Sequence, residues 1–251
     1  NSRIAAGEAS TKPAYQPARA FDVCGFSTYP GATVTVENST INGAVEISNG
    51  NNSKVALTIG KGTAVSGSLV DGGNGDKVTV TKDKSVDVTA PDGYKWVDGE
   101  AGQTLAKIVM VAEVNGKQYE TLQAAIDAAI RNQTVKLIAD TTENVTMETP
   151  YLTLDLNGHT LNGGQVKGTP ALTVTARVTV KDSSDAQTGK IMREDTAENS
   201  GVSSHYVIDI QGGGWLTFES GNVTNDSGVV GVKGASLVRV GDDSVAKYPG
   251  L

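Results

Sequence analysis

The sequence is poor in the residues that mark a disulfide scaffold, a membrane span or a nucleic-acid surface. Its 251 residues include a single cysteine, Cys24, which excludes a disulfide framework within the chain. No apolar run approaches the roughly 20 residues that cross a bilayer, so we expect no membrane insertion. The net charge is −7 and the cations are not clustered, which argues against nucleic acid as a partner because phosphates attract clustered lysine and arginine.

Aromatic residues are also scarce, whereas glycine and short runs of valine and threonine are abundant. Aromatics make up 5% of the chain, and there are 30 glycines. Apolar β-branched residues alternate with polar ones, as in half-buried strands, over residues 32–36, 55–59 and 77–80. This composition predicts narrow stacked strands around a core of small side chains, rather than thick helical layers.

The alternating phrase repeats along the whole chain, with polar turn residues after each copy. Later copies occupy residues 152–156, 177–180, 215–218 and 237–240. If Val34, Leu57 and Val78 are equivalent, the step is about 22 residues. The same step separates Leu216 from Val238. About 22 residues supply three short strands and their turns, which is one rung of a solenoid. We therefore predict an all-β fold, a right-handed parallel β-helix.

The segment around Leu154 shows how one rung is expected to be built. Leu154 and Leu156 share the inner face of a strand, and Asp155 between them is expected to face outward. Asn157 and Gly158 follow, and both can adopt the left-handed backbone angles that a tight corner requires. The pattern predicts a strand that ends in a sharp corner.

One amphipathic helix is predicted near residues 121–131, with Thr121 as its N-terminal cap. Its apolar face is expected to comprise Leu122, Ala125, Ile126, Ala129 and Ile130. Because the ends of a stack of strands expose unpaired backbone groups, we interpret this helix as a cap over the rungs that follow. A helix that lies on a sheet is the alternative.

Residues 119–129, 134–137 and 152–161 together carry a family resemblance. They resemble the opening of pectate-lyase-like β-helix modules in large surface proteins of gut and anaerobic bacteria. The resemblance covers residues 112–165 well and the remainder only through its repeats. It implies the fold strongly and an activity weakly, since such modules often lack a known enzymatic function. The polar composition, rich in threonine, asparagine and glycine, also suits an extracellular or cell-surface protein.

Three regions are expected along the chain. Residues 1–31 are predicted to be an irregular lead-in or arm, and residues 32–111 the rungs and closing segment of a first module. Residues 112–251 are predicted to hold the capping helix and rungs of a second module. Either the chain is a fragment of a longer array, or its open rungs self-associate end to end into an extracellular fibre.

The outward positions of the repeated strands predict a ladder of threonines. Its expected members are Thr35, Thr58, Thr79, Thr153 or Asp155, Thr179, Thr217 and Arg239. Hydroxyl groups can hydrogen-bond a glycan and aromatic rings can stack on it. We predict a ligand-binding face composed of Thr153, Asp155, Thr179, Tyr206, Trp215, Thr217 and Arg239. The expected partner is a glycan or another surface protein.

Catalysis is not favoured by these residues. Polysaccharide lyases and glycoside hydrolases need clustered carboxylates or a base beside them, and a threonine hydroxyl has no useful acid or base strength near neutral pH. The best candidates lie on well-separated rungs: Asp155, Asp209, Glu219 and Arg239. We therefore expect a non-catalytic adhesion, glycan-binding or structural module without a cofactor, with a polysaccharide lyase or glycoside hydrolase as the alternative.

A weak metal site is suggested by the acidic, glycine-rich loop of residues 71–76. Asp71, Asn74 and Asp76 place oxygen ligands at spacings that can suit Ca²⁺. Flexible turns have the same composition, so a plain turn is the favoured interpretation of this loop.

Overall fold

The structure, a computed structural model, describes residues 2–7, 17–163, 169–193, 206–225, 237–241 and 243–247. Within these residues strands dominate, so the all-β prediction is confirmed. The chain divides into two compact units, Asn1–Ile108 and Val109–Leu251. The division lies close to the expected one between residues 111 and 112.

In the first unit, the chain visits three parallel sheets in turn. The strands are β1 (Arg3–Ala5), β2 (Arg19–Gly25), β3 (Gly31–Val36), β4 (Thr40–Asn42), β5 (Ala44–Asn49), β6 (Lys54–Ile59), β7 (Ala64–Val65), β8 (Leu69–Gly73), β9 (Val78–Lys82), β10 (Tyr94–Gly99) and β11 (Gly102–Lys107). One sheet has the order β1-β4-β7, the second β2-β5-β8, and the third contains β3, β6 and β9. The hairpin β10-β11 adds to β9 in antiparallel fashion and covers that edge of the third sheet.

The second unit repeats this plan with more strands. They are β12 (Ala112–Val114), β13 (Lys117–Tyr119), β14 (Thr134–Leu137), β15 (Thr141–Thr142), β16 (Val145–Met147), β17 (Thr153–Asp155), β18 (Thr160–Asn162), β19 (Leu172–Val174), β20 (Arg177–Lys181), β21 (Lys190–Arg193), β22 (Ile208–Ile210), β23 (Trp215–Phe218), β24 (Asn222–Asn225), β25 (Val238–Val240) and β26 (Val245–Lys247). A seven-stranded sheet has the order β13-β12-β14-β17-β20-β23-β26. The two four-stranded sheets are β15-β18-β21-β24 and β16-β19-β22-β25.

Alternation of apolar and polar residues explains why these segments are strands. In β6, Val55, Leu57 and Ile59 are buried, while Ala56 and Thr58 between them are partly exposed. Each unit has its own hydrophobic core, built from the inward residues of its own strands. Outward positions are therefore free of the packing constraint that fixes the inward ones.

In place of the predicted irregular arm, the described residues 2–7 and 17–31 contain two strands. Strand β2 pairs in parallel with β5, and β1 pairs in parallel with β4. Val23 is buried at 1% exposure, while its neighbour Asp22 is exposed. The pattern is too short, and too close to Pro17 and Pro30, to be distinguished from a loop in the sequence.

The predicted helix is present but shorter than expected. Helix α1 spans Leu122–Ala128, and the Ala124 N–H donates to Thr121 Oγ1 at 3.2 Å, which confirms the predicted cap. The backbone of Ala129 is already extended, and Ile130 is 67% exposed, so its assignment to the buried face is wrong. The Ile130 N–H donates instead to Gln133 Oε1 at 3.0 Å, within the turn that leads to β14.

Helix α1 is fastened to the first strands of the second unit by two side chains. The Glu143 carboxylate accepts from the Leu122 N–H at 2.7 Å and from the Gln123 N–H at 3.2 Å. The Gln123 side-chain amide accepts from the Thr146 N–H at 2.8 Å and donates to the Thr146 carbonyl at 3.2 Å. This pair of bonds satisfies the backbone N–H and carbonyl groups of Thr146 in β16, as a neighbouring strand would. Strand β12 pairs in turn with β14. We call the Glu143 and Gln123 contacts the helix clasp.

The strand registers differ from the predicted equivalences in two places. Leu57 pairs with Val80 rather than Val78, so Thr81 rather than Thr79 is aligned with Thr35 and Thr58. Strand β25, which contains Val238, pairs with β22 and not with β23, and the partner of Leu216 is Ala246. A two-residue slip keeps every apolar side chain on the same face, so alternation alone does not specify the register.

Candidate functional site

The outer face of the seven-stranded sheet brings most of the predicted ligand-binding residues together. Strand register places four threonines in one row, which we call the threonine column: Thr134, Thr153, Thr179 and Thr217. Thr153, Thr179 and Thr217 are partly exposed, and Thr134 is exposed. Three of the predicted residues therefore lie one strand apart in a straight line of hydroxyl and methyl groups.

A second row on this face alternates cations with aromatic rings. We call it the cation–aromatic column, and its members are Arg131, Tyr151, Arg177, Trp215 and Lys247. The Arg177 guanidinium lies between two rings, 5.5 Å from the centre of Tyr151 and 4.9 Å from that of Trp215. Arg131 lies 4.2 Å from the Tyr151 ring and the Lys247 ammonium 4.7 Å from the Trp215 ring. Each contact is within cation–π range.

Among the residues that the structure describes, the three cations of this column have no carboxylate partner. None of the ion pairs between described residues includes Arg131, Arg177 or Lys247. Because the whole protein carries a net charge of −7, a row of three unpaired cations is a local reversal of sign. The sequence pattern did not indicate Arg131 and Arg177, which lie outside the central positions of the alternating runs.

Tyr151 has a backbone conformation that points to a specific use of its ring. Its φ angle is 65°, in the left-handed region that is unfavourable for a bulky side chain, and its side chain is partly exposed. Such conformations cost about 1–3 kcal/mol and persist where the surroundings hold them. Here the Tyr151 ring contacts the guanidinium groups of both Arg131 and Arg177.

A third row on the same sheet has charges that alternate and cancel. Glu113 pairs with Lys136, Lys136 with Asp155, and Asp155 with Lys181. The Lys181 ammonium lies 3.9 Å from the Asp155 carboxylate. This row differs from the cation–aromatic column because each of its cations has an acidic neighbour.

Asp155 occupies an outward position of its strand, as predicted, but it is buried and not accessible to a ligand. It is 4% exposed, and its Oδ1 accepts from the Asn157 N–H at 3.0 Å and from the Ser183 N–H at 2.9 Å. The carboxylate thus stabilises the corner after its own strand, at Asn157, and the corner after the next strand of the sheet, at Ser183. Asn157 and Gly158 have φ angles of 47° and 81°, which confirms the predicted left-handed corner.

Asp182 performs the same task at the following corner, and the sequence analysis missed it. Its carboxylate accepts from three backbone N–H groups: Gly158 at 2.8 Å, Ser184 at 3.0 Å and Gly189 at 2.6 Å. Burial raises the pKa of Asp182, but the hydrogen bonds from Ser184, Gly189 and Gly158 outweigh burial and leave that pKa below its ordinary value. The aspartate directly after the alternating run of β20 was the signal available in the sequence.

Tyr206 and Arg239 lie on a different sheet from the threonine column, so their assignment to the same face is wrong. Arg239 is on β25 and Asp209 on the neighbouring β22. The Arg239 guanidinium donates from Nε to Asp209 Oδ1 at 2.7 Å and makes a second bond through Nη2 to Oδ2. It also lies 5.0 Å from the ring of Tyr206. The error follows from the register assigned to Val238.

The acidic loop of the first unit is an internally bonded turn. Asp71 Oδ1 accepts from the Gly73 N–H at 2.8 Å and the Gly75 N–H at 3.0 Å, and Oδ2 accepts from the Tyr94 hydroxyl at 2.9 Å. Asp76 lies 3.7 Å from the Lys107 ammonium. Within the described ranges, no three His, Cys, Asp or Glu side chains are grouped as a metal would require. The carboxylate of Asp71 stabilises the loop that had been considered for Ca²⁺.

The hydrogen bond to Asp71 also changes the acidity of Tyr94. Burial, followed by the hydrogen bond and the charge of Asp71, raises the pKa of Tyr94 to about 12. Its hydroxyl is therefore a neutral donor at all ordinary pH values. The pair joins the hairpin β10-β11 to the 71–76 loop.

Comparison of the chain with family models, with curated proteins and with solved structures finds no match. The resemblance to pectate-lyase-like modules thus stays a prediction that rests on the sequence alone. In the part of the chain that the structure describes, no helix is both long and apolar enough to span a membrane.

Proposed function

We propose that the second unit is a β-helix and that the outer face of its seven-stranded sheet binds an extended acidic glycan without catalysing a reaction on it. The proposal includes the predicted extracellular or cell-surface location. The observation that carries it is the cation–aromatic column, where three cations without acidic partners alternate with two rings.

The order of the strands supports the β-helix. Strands that pair in a parallel sheet are separated in the chain by one strand from each of the other two sheets. A chain that winds through three sheets and returns to the first has this connectivity. Both units follow the rule, and it accounts for the repeat of the alternating phrase.

The spacing of the cations supports an extended anionic ligand. The members of the column come from successive strand segments, and neighbouring strands lie about 4.8 Å apart. Arg131 and Arg177 therefore lie about two strand spacings, roughly 10 Å, apart along the sheet. Lys247 is aligned with Thr217 and reaches the Trp215 ring from the neighbouring row. Two linked pyranose rings have a length similar to the distance between the two arginines, so acidic groups on alternate sugars would meet successive cations. The threonine column beside them supplies hydroxyls for the sugar hydroxyls.

Binding is favoured over catalysis because two of the three carboxylates named as catalytic candidates already have structural partners. Asp155 accepts two backbone N–H groups, and Asp209 is bonded to Arg239. A lyase or hydrolase needs an available acid and base beside the scissile bond. The alternative of an end-to-end fibre stays a prediction.

The test is a binding titration of oligouronates and of the same oligosaccharides after carboxyl reduction. Arg177→Gln is expected to weaken oligouronate binding about tenfold, because a charge-assisted contact is lost, whereas the reduced sugars bind weakly to every variant. Lys136→Gln is the matched control, since it removes one exposed cation from the charge-balanced row of the same sheet. Equal losses for both variants, or equal binding of acidic and reduced sugars, would refute the proposal.

A further inference from the structure

The first unit has a groove that none of the preceding functions uses. Its volume is about 530 Å³, within the range of small-ligand sites. Two of its lining residues, Phe26 and Tyr29, are exposed to 66% and 68%. The two rings offer apolar surface to a ligand in the groove.

The floor of the groove is flat because its residues are small. Cys24 pairs with Ser48, and Ser48 with Gly73, across strands β2, β5 and β8. Gly72 also lines the groove, and a Cβ atom there would lie 2.3 Å from Glu46 Oε1, so a side chain at this position would displace Glu46. The flat floor leaves the space beside the two rings open.

The turn that carries the rings is held by the following rung. Asn51 Nδ2 donates to the carbonyl of Ser27 at 2.9 Å and to that of Tyr29 at 3.1 Å. The Tyr29 N–H donates to the Phe26 carbonyl at 3.2 Å within the turn. The backbone of the aromatic turn is thus preorganised, which lowers the entropy cost of binding.

The faces of these rings carry no cation, unlike those of Tyr151 and Trp215. In the described residues, each cation–π contact involves other rings. The groove has a negative electrostatic character, because Asp22 is the charged residue among those that line it. Burial, together with the carboxylates of Asp22 and Glu46, raises the pKa of the Cys24 thiol in the same groove.

We propose that this groove binds a small organic cation, an alkylated ammonium group, with its methyl groups against Phe26 and Tyr29 and its charge opposite Asp22. Bare aromatic faces beside a carboxylate are the arrangement that recognises such cations. A neutral sugar would also stack on the rings but would gain nothing from the charge of Asp22. The site lies in the other unit from the acidic-glycan face and is independent of it.

The test compares choline with 3,3-dimethylbutan-1-ol, which has the same shape without the charge. Binding is measured by NMR titration, and also by protection of Cys24 from alkylation, because Cys24 is the single cysteine and lines the groove. We expect choline to bind and the neutral analogue to bind at least fivefold more weakly. Asp22→Asn and Tyr29→Leu are each expected to weaken choline binding about fivefold or more.

Asp87→Asn is the matched control for Asp22→Asn, because Asp87 is an exposed carboxylate of the first unit that does not line the groove. Ile130→Ala is the control for Tyr29→Leu, because Ile130 is a similarly exposed apolar side chain, at 67%, that does not line the groove. Circular dichroism establishes that each variant is folded. Absence of choline binding, equal binding of the neutral analogue, or equal loss in the control variants would overturn the proposal. Loss of oligouronate binding in Arg177→Gln would leave it unaffected.

Discussion

The two units share one plan of strands but present aromatic rings in opposite electrostatic settings. In the second unit, Tyr151 and Trp215 lie between cations that have no acidic partner. In the first unit, Phe26 and Tyr29 are bare and stand beside Asp22. Since the inward residues alone must satisfy the core, the outward residues of each unit are free to acquire a different chemistry. The comparison shows how one repeated scaffold can offer both an anion-binding and a cation-binding surface.

The largest expected effect tests whether the two cores are independent. Leu57 and Leu154 are both fully buried, each in the core of its own unit. Replacement of either by alanine should destabilise that unit by about 2–5 kcal/mol. The two tryptophans, Trp96 and Trp215, fall in different units, so fluorescence of single-tryptophan variants follows each unit during thermal unfolding.

In this experiment Leu57→Ala should lower the melting temperature reported by Trp96, and Leu154→Ala that reported by Trp215. Leu57→Val and Leu154→Val serve as milder controls, with smaller shifts in the same unit. If either alanine variant lowers both transitions equally, the two cores unfold as one and the comparison of separate units fails.

A smaller effect is expected on the stability of the second unit at acid pH, where Asp182 contributes. The pKa of Asp182 is lower in the folded state, so its contribution to stability is present above the unfolded pKa and is lost as pH falls through the folded pKa. Asp182→Asn should lower the free energy of unfolding by about 1–3 kcal/mol at neutral pH. One carboxylate oxygen, which accepts hydrogen bonds, is replaced by an amide NH₂ group, and this group would face backbone N–H groups that are also donors. Acid titration of the Trp215 fluorescence should show a smaller loss of stability in the variant than in the parent. An unchanged acid profile would contradict this role.

The smallest effect is expected on the stability of the first unit at alkaline pH, where Tyr94 contributes. The pKa of Tyr94 is raised from 10.0 to about 12 on folding, so its contribution to stability is complete below pH 10 and is lost as pH rises through 12. Tyr94→Phe should cost about 1 kcal/mol near neutral pH, through loss of the hydrogen bond to Asp71. It should also remove part of the alkaline destabilisation of the first unit, measured by urea unfolding with Trp96 as probe. Tyr29→Phe, at an exposed tyrosine, is the control and should leave the alkaline profile unchanged.

The sequence predicted features that depend on local chemistry. The all-β class, the Thr121 cap and the left-handed corner at Asn157 follow from residue types that have one favoured use. These features need no knowledge of which strands are partners.

Features that depend on the partner of a strand were missed. Arg239 was assigned to the threonine column because its strand has the same pattern as a strand of another sheet. The cation–aromatic column combines residues at the ends of strands with Arg131, which follows the helix, and the aromatic turn of the first unit lies in a region predicted to be irregular. Long-range pairing decides these placements, and a two-residue slip leaves the local pattern unchanged.

The helix clasp has a consequence for the order in which the second unit assembles. Its hydrogen bonds join residues that are 20 to 23 positions apart in the chain. The clasp can therefore close over the first strands before any later strand exists, and each new strand then needs only the edge of its predecessor. In a repeat protein such a closed end acts as a template from which structure propagates. The second unit thus carries its own starting point for growth, in the direction of synthesis.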